Sequence, residues 1–156
     1  MPTGERFEAR ATSVDGRRFS YLVAPDRLDV STGGYALLEH ESGARLAQVT
    51  TIELTRDGDG AGLARIEGRV LDGPEGPFHD ARARAADEGE VAAWLDRVRP
   101  HRAALTVGRL AFAPGVPLAL DGGAFDRHTF LCGQSGSGKT YALGTILERL
   151  LLSTTL

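Results

Sequence analysis

Residues 129–140 read Thr129-Phe130-Leu131-Cys132-Gly133-Gln134-Ser135-Gly136-Ser137-Gly138-Lys139-Thr140. The eight residues from Gly133 meet the spacing G-x-x-x-x-G-K-[ST] at every fixed position, between an apolar run and a helical pattern. That setting predicts a strand, a phosphate-cradling loop and a helix in succession, and so a nucleotide site. A plain glycine-rich turn with a solvated lysine would have no need of Lys-Thr after its last glycine.

Each residue type has a physical task in that loop. A triphosphate must be held without bulky side chains, so backbone N–H groups turn inward to its oxygens while the following helix aims the positive end of its dipole at it. Gly133, Gly136 and Gly138 are expected to supply positive φ and to leave no Cβ against the phosphates. Gln134, Ser135 and Ser137 complete the cradle. Lys139 is the candidate catalytic residue, reaching the β- and γ-phosphates, and Thr140 the candidate Mg²⁺ ligand through its hydroxyl.

The flanks agree. Thr129–Cys132 is apolar with β-branched and aromatic members, as expected of a strand buried on both faces of a parallel sheet. Ala142, Leu143, Ile146, Leu147, Leu150 and Leu151 recur at helical spacing, with Glu148 and Arg149 on the outer face. Cys132 has no identifiable base and reads as a small apolar filler. Only sixteen residues follow Thr140, and one strand with one helix cannot bury both their apolar faces. Residues 125–156 are therefore expected to open a larger α/β domain that is cut off, Ser153–Leu156 leading towards its next strand.

Composition bounds the remainder. The apolar fraction is 42% and the charged fraction 25%, ordinary for a soluble protein, and a single cysteine excludes an internal disulfide framework. The polar N-terminus has no apolar signal-like stretch, and no run is long enough to span a bilayer; a cytoplasmic location without membrane contact is expected. The formal net charge is −3, so the chain as a whole is no electrostatic partner for nucleic acid, and the arginines between Arg97 and Arg109 read as a solvated surface. His40, His79, His101 and His128 are scattered singly, without metal-ligand spacing.

Ahead of the loop the texture is one of short strands and turns. Phe7–Ser13 and Arg18–Val23 are joined through Asp15-Gly16, a hairpin signal; Tyr35–Leu38, Arg45–Leu54 and Leu63–Leu71 follow, with a polar turn at Asp57–Gly60. Five short strands at regular spacing predict a small antiparallel β-barrel in residues 1–73. Residues 74–100 form a linker carrying a helix at 88–99, with Asp87 as N-cap, Glu90 at N3 and Val91, Trp94, Leu95 and Val98 on its apolar face; Pro100 ends it. That stripe makes Trp94 a packing residue in preference to a base-stacking one. Residues 101–124 supply a last barrel strand at Leu105–Phe112 and a connector.

The order of these parts resembles the HerA/FtsK ATPases, and more closely the HerA type. The resemblance rests on the barrel, the strand with Val107-Gly108-Arg109-Leu110, the stretch Val116–Leu120, Arg127-His128 and the Gly133–Thr140 loop, in which Ser135 stands where the family more often has Thr. It implies an amino-terminal barrel followed by the start of a truncated RecA-like motor that uses ATP and Mg²⁺. It implies further a homo-oligomeric ring, usually a hexamer, driving duplex DNA through its pore as a translocase or helicase, with a nuclease or other effector docked on it. The acidic magnesium residue, the pore loops and the arginine from a neighbouring subunit would then lie beyond Leu156, leaving this piece alone inactive. Two other readings stay open: another P-loop NTPase, such as a secretion or conjugation ATPase, and a non-catalytic interaction module.

Overall fold

The structure, a computed structural model, describes residues 9–56, 62–98, 104–126 and 128–153. The chain divides into two compact units, Met1–Trp94 and Leu95–Leu156. In the first, β1 (Arg10–Ser13), β2 (Arg18–Val23), β3 (Tyr35–His40), β4 (Gly43–Arg56), β5 (Gly62–Asp72) and β6 (Phe78–Ala85) close a barrel in the order β1-β2-β5-β4-β3-β6. Every pairing is antiparallel. The expected barrel is present, but its last strand is β6 and not the segment expected at Leu105–Phe112. That strand, β6, carries Ala81-Arg82-Ala83-Arg84-Ala85, which the sequence presents as the approach to a helix because Ala and Arg are good helix formers and poor strand formers. Two expectations, Phe7 and Glu8 of the first strand and the Asp57–Gly60 turn, lie outside the described residues.

Strand alternation fills the barrel. Phe19, Tyr21, Leu38, Val49, Ile66 and Phe78 are buried inside it together with Ala11, Ala36, Ala47, Ala64, Ala81 and Ala83. Mixing large residues with alanine suits the interior of a narrow barrel, which holds few large side chains. Closure needs irregularity as well. At the β1–β6 seam His79 and Asp80 together face Thr12, and Asp80 takes φ 61°, the left-handed region that Asp tolerates better than most residues. On β5, a Cβ at Gly68 would stand 2.6 Å from the Phe19 ring and 2.1 Å from the Gln48 carbonyl oxygen, so only glycine lets Phe19 cross there. Gly16, in the β1–β2 turn, has φ 70° and passes so close to Gly76 that a Cβ would meet its carbonyl oxygen at 2.5 Å.

One end of the barrel is plugged by a charge. Arg45, opposite Leu38 in the β3–β4 register, is 1% exposed. Its guanidinium lies 4.5 Å from the Phe78 ring centroid; Nε donates to the Pro74 carbonyl at 3.0 Å and Nη1 to Ser42 Oγ at 3.1 Å and the Gly43 carbonyl at 3.4 Å. These acceptors and the ring face replace the water that a buried cation loses. The arginine thereby ties the β5–β6 loop to the β3–β4 turn. Replacing Arg45 with Ala is expected to cost about 3 kcal/mol, from lost hydrogen bonds, lost ring contact and the cavity left behind. Arg45→Met, which restores most of the volume, should recover part of that cost, and urea denaturation of the three proteins measures both.

The helix α1 (Glu88–Val98) begins with the expected capping box. Glu90 N–H donates to Asp87 Oδ1 at 2.8 Å, and Asp87 N–H donates to Glu90 Oε2 at 2.9 Å. Arg84 of β6 donates to both Glu90 oxygens, at 2.6 and 2.9 Å, and to Glu39 Oε1 of β3. Those hydrogen bonds raise the Arg84 pKa, while the Arg84 guanidinium holds the Glu90 carboxyl below its ordinary 4.5. Val91 is buried and Trp94 packs with its ring centroid 6.4 Å from that of Tyr35, which supports the packing role for the tryptophan. Val98 is exposed, and Arg99 and Pro100 lie outside the described residues. Because the folded-state pKa of Glu90 is depressed, its charge contributes stability above the ordinary value, and the contribution disappears as acid protonates the carboxylate. Glu90→Gln keeps the cap but removes the charge; it should lower stability by about 1 kcal/mol at neutral pH. That gap should close in denaturation experiments as pH falls below 4.5.

In the second unit, β7 (Ala104–Leu110) and β8 (Ala113–Asp121) form a two-stranded antiparallel sheet, followed by a 3-10 turn at Gly122–Asp126 and α2 (Lys139–Ser153). The strand expected to complete the barrel is therefore present as β7, but it pairs with β8, because the six strands before it already close on themselves. Arg109 belongs to this hairpin: its Nη1 donates to the Pro114 carbonyl at 2.9 Å and braces the turn. Among the described residues no helix is long and apolar enough to cross a membrane.

Candidate functional site

The Gly133–Thr140 loop stands between an extended segment and α2. Residues 129–132 form no strand, and Phe130 is 88% exposed, which corrects the expectation of a strand buried on both faces. A strand exists only where a neighbour accepts its ladder, and β7 and β8 pair with each other. The expected helix after the loop is present and begins at Lys139. Its apolar stripe divides: Ala142, Ile146 and Leu150 are half-buried, whereas Leu143, Leu147 and Leu151 are exposed.

Within the loop the glycines do different work. Gly136 and Gly138 take φ 79° and 82°, and a Cβ on either would meet no atom within 4 Å. Their requirement is conformational, and it leaves the main chain open to approach by an anion. Gly133 is not in the left-handed region, contrary to the sequence expectation; a Cβ there would fall 2.6 Å from Ser137 Oγ and 3.3 Å from Lys139 Cγ. Its requirement is the close return of the loop's far side.

Backbone bonds fix that return. Ser137 N–H donates to the Gln134 carbonyl at 3.2 Å, and Ala142 N–H to the Gly138 carbonyl at 2.9 Å, opening the helix. Lys139 Nζ donates to the same Gln134 carbonyl oxygen. The lysine cation is thus folded over the loop at the N-terminal end of α2, where the first N–H groups of a helix have no partner within it. Gln134, Ser135, Ser137 and Thr140 are exposed around it. Taken together, an open main-chain turn, a helix N-terminus and a primary ammonium converge on one small region, and each of the three favours a phosphate or another multiply charged oxyanion.

The other sequence candidates lie apart from this chemistry. His128 and Cys132 are exposed, Arg127 and His101 lie outside the described residues, and no group of three His, Cys, Asp or Glu that could hold a metal occurs among the described residues. The side-chain hydroxyl of Thr145, a turn beyond the loop, is committed to the Tyr141 carbonyl at 3.1 Å.

Residues 105–155 match the family model described as Helicase HerA, central domain, which supports a HerA-like ATPase family. The match starts inside β7, the strand that the barrel excludes. No curated protein matches the chain.

Because Gly136 and Gly138 are held by φ and not by packing, alanine at either should strain the loop by about 1 kcal/mol without disturbing anything else. Amide exchange at Ser137 and Ala142 should then quicken by about fivefold, while the thermal melting of the chain stays in place.

Proposed function

We propose that residues 133–140 bind the phosphates of ATP, and that the chain is the amino-terminal part of a HerA-like ring ATPase acting as an ATP-driven DNA translocase or helicase. One observation carries this: the only glycines of the loop with positive φ flank Ser137 ahead of Lys139, at the start of α2, inside the segment that matches the HerA central domain.

The residues present fit a magnesium nucleotide. The main chain at Gly136 and Gly138 is open to approach, so N–H groups can turn onto phosphate oxygens. Lys139 would leave the Gln134 carbonyl and place its charge beside the β- and γ-phosphates, where charge develops during transfer. The Thr140 hydroxyl, in the first turn of α2, would hold Mg²⁺, and Gly133, Gln134, Ser135 and Ser137 would shape the cradle around it. When bound, the magnesium nucleotide supplies the phosphoryl group and neutralises its charge. Residues 1–156 alone would bind ATP without turning it over, since orienting water and completing the site belong to an acidic strand end and a neighbouring subunit.

In this reading Phe130, Leu143, Leu147 and Leu151 pack in the assembled α/β motor, with the ring a hexamer around duplex DNA and the barrel serving assembly and the docking of a nuclease or other effector. The protein would work in the cytoplasm. The loop is testable directly with the 156-residue chain. Isothermal titration with Mg-ATP should show binding, and Lys139→Ala should weaken it by roughly tenfold to a hundredfold through loss of charge-assisted hydrogen bonds. Equal heats, or none, in both proteins would sink the nucleotide assignment.

A further inference from the structure

Tyr141 follows Thr140 in the first turn of α2 and is 84% exposed. Successive side chains of a helix stand about 100° apart, so the apolar stripe from Ala142 to Leu151 takes one half of the circumference of α2. Tyr141 lies on the other half, with Thr145, Glu148, Arg149 and, at the far end, Leu152. A sheet that covers the stripe therefore leaves Tyr141 out. Among the described residues its ring has no aromatic neighbour and its hydroxyl no hydrogen bond; its backbone carbonyl accepts the Thr145 hydroxyl at 3.1 Å. An aromatic ring on the polar face of a helix offers a flat apolar surface to something outside that helix.

The turn beside that ring is the loop itself. The first bond of α2 runs from Ala142 N–H to the Gly138 carbonyl, which makes Gly138 the N-cap and Tyr141 the third residue of the helix, its N–H among those with no partner inside it. Cβ atoms tilt towards the N-terminus of a helix, so a side chain covers the turn before its own Cα. For Tyr141 that turn holds Ser137 and Gly138. The ring and the amides that suit phosphate thus share one turn. In a nucleoside triphosphate a single ribose separates the base from the α-phosphate, so a base whose phosphates are held here comes within reach of this turn and not of side chains further along α2.

We infer that Tyr141 is the base-binding residue of the site: the purine of the nucleotide stacks on its ring while residues 133–140 hold the phosphates. The inference rests on the nucleotide reading of the loop and adds how the base is held. Stacking needs an open π-face and no hydrogen-bonding edge, and an open face is what Tyr141 presents. Lys139 and Thr140 act on charge and metal, which an inorganic polyphosphate shares with ATP. The ring acts on the base alone, so its contribution can be measured separately from theirs.

Calorimetric titration of the 156-residue chain with Mg-ATP and with Mg-tripolyphosphate, which has no base, tests it. Tyr141→Ala should weaken Mg-ATP by about tenfold, the worth of one base on one aromatic ring, and leave Mg-tripolyphosphate unchanged. Tyr141→Phe keeps the ring and should bind Mg-ATP as the wild type does. Lys139→Ala should weaken both ligands. In NMR spectra the Tyr141 ring protons should move upfield when Mg-ATP is added, through the ring current of the stacked purine, and stay in place with Mg-tripolyphosphate. If the wild type binds both ligands and Tyr141→Ala binds Mg-ATP equally well, the ring belongs to a protein contact; if Tyr141→Ala weakens both ligands alike and melts lower, the ring is structural. Either result would overturn the stacking and leave the phosphate site standing. A wild type that binds neither ligand would overturn the phosphate site and the stacking with it.

Discussion

The volume enclosed by six strands is the constraint on which the rest of the first unit depends. A ring that narrow cannot take a large side chain at every inward position. Six alanines accordingly share the interior with Phe19, Tyr21, Leu38, Val49, Ile66 and Phe78, and Gly68 gives up its side chain to let the Phe19 ring lie across β5. The bulges at Thr50 and at His79–Asp80 have the same origin, since a closed ladder must bend more sharply than regular pairing allows. Arg45 follows from it too. An aliphatic residue could fill the barrel's end, but it could not satisfy the Pro74 and Gly43 carbonyls that converge there.

What could be read in the sequence follows from how local each determinant is. β2 and β5 were legible because their apolar residues alternate, and the Asp15-Gly16 turn because Gly16 needs φ 70°. The α1 cap was legible because Asp87 and Glu90 satisfy each other across three residues. β6 was not: its alternation is Ala against Arg, and alanine reads as inward-facing only when the width of the barrel is known. The pairing of β7 depends on whether the ring has already closed, which no single segment records. Arg45 sits at the start of a strand, where a charge ordinarily meets water, so its burial under Phe78 had no sequence signal.

The loop at 133–140 shows a different balance. Its glycines stand out by their spacing, yet the reason for each was not uniform. Gly136 and Gly138 answer to dihedral angle and Gly133 to the nearness of Ser137 and Lys139, a distinction between torsional and steric demands that spacing alone does not carry. The expected strand ahead of the loop failed for a non-local reason, since a ladder needs a neighbour and β7 and β8 use each other. The loop itself is held by a few backbone bonds and one lysine-to-carbonyl contact.

That contact connects local geometry to chemistry. In water an ammonium group gains little from one carbonyl, so Lys139 can leave Gln134 when a stronger acceptor arrives. A phosphate is such an acceptor, because its hydrogen bond to an ammonium is assisted by charge on both sides. The Gln134 oxygen still has Ser137 N–H as a donor after the lysine departs, so the exchange strands no polar group. The loop can therefore keep its glycine-defined shape in both states while its cation moves from an internal acceptor to an external one. Arg45 is the opposite case: buried, with all its acceptors internal, it is fixed in place, and its charge serves the fold alone.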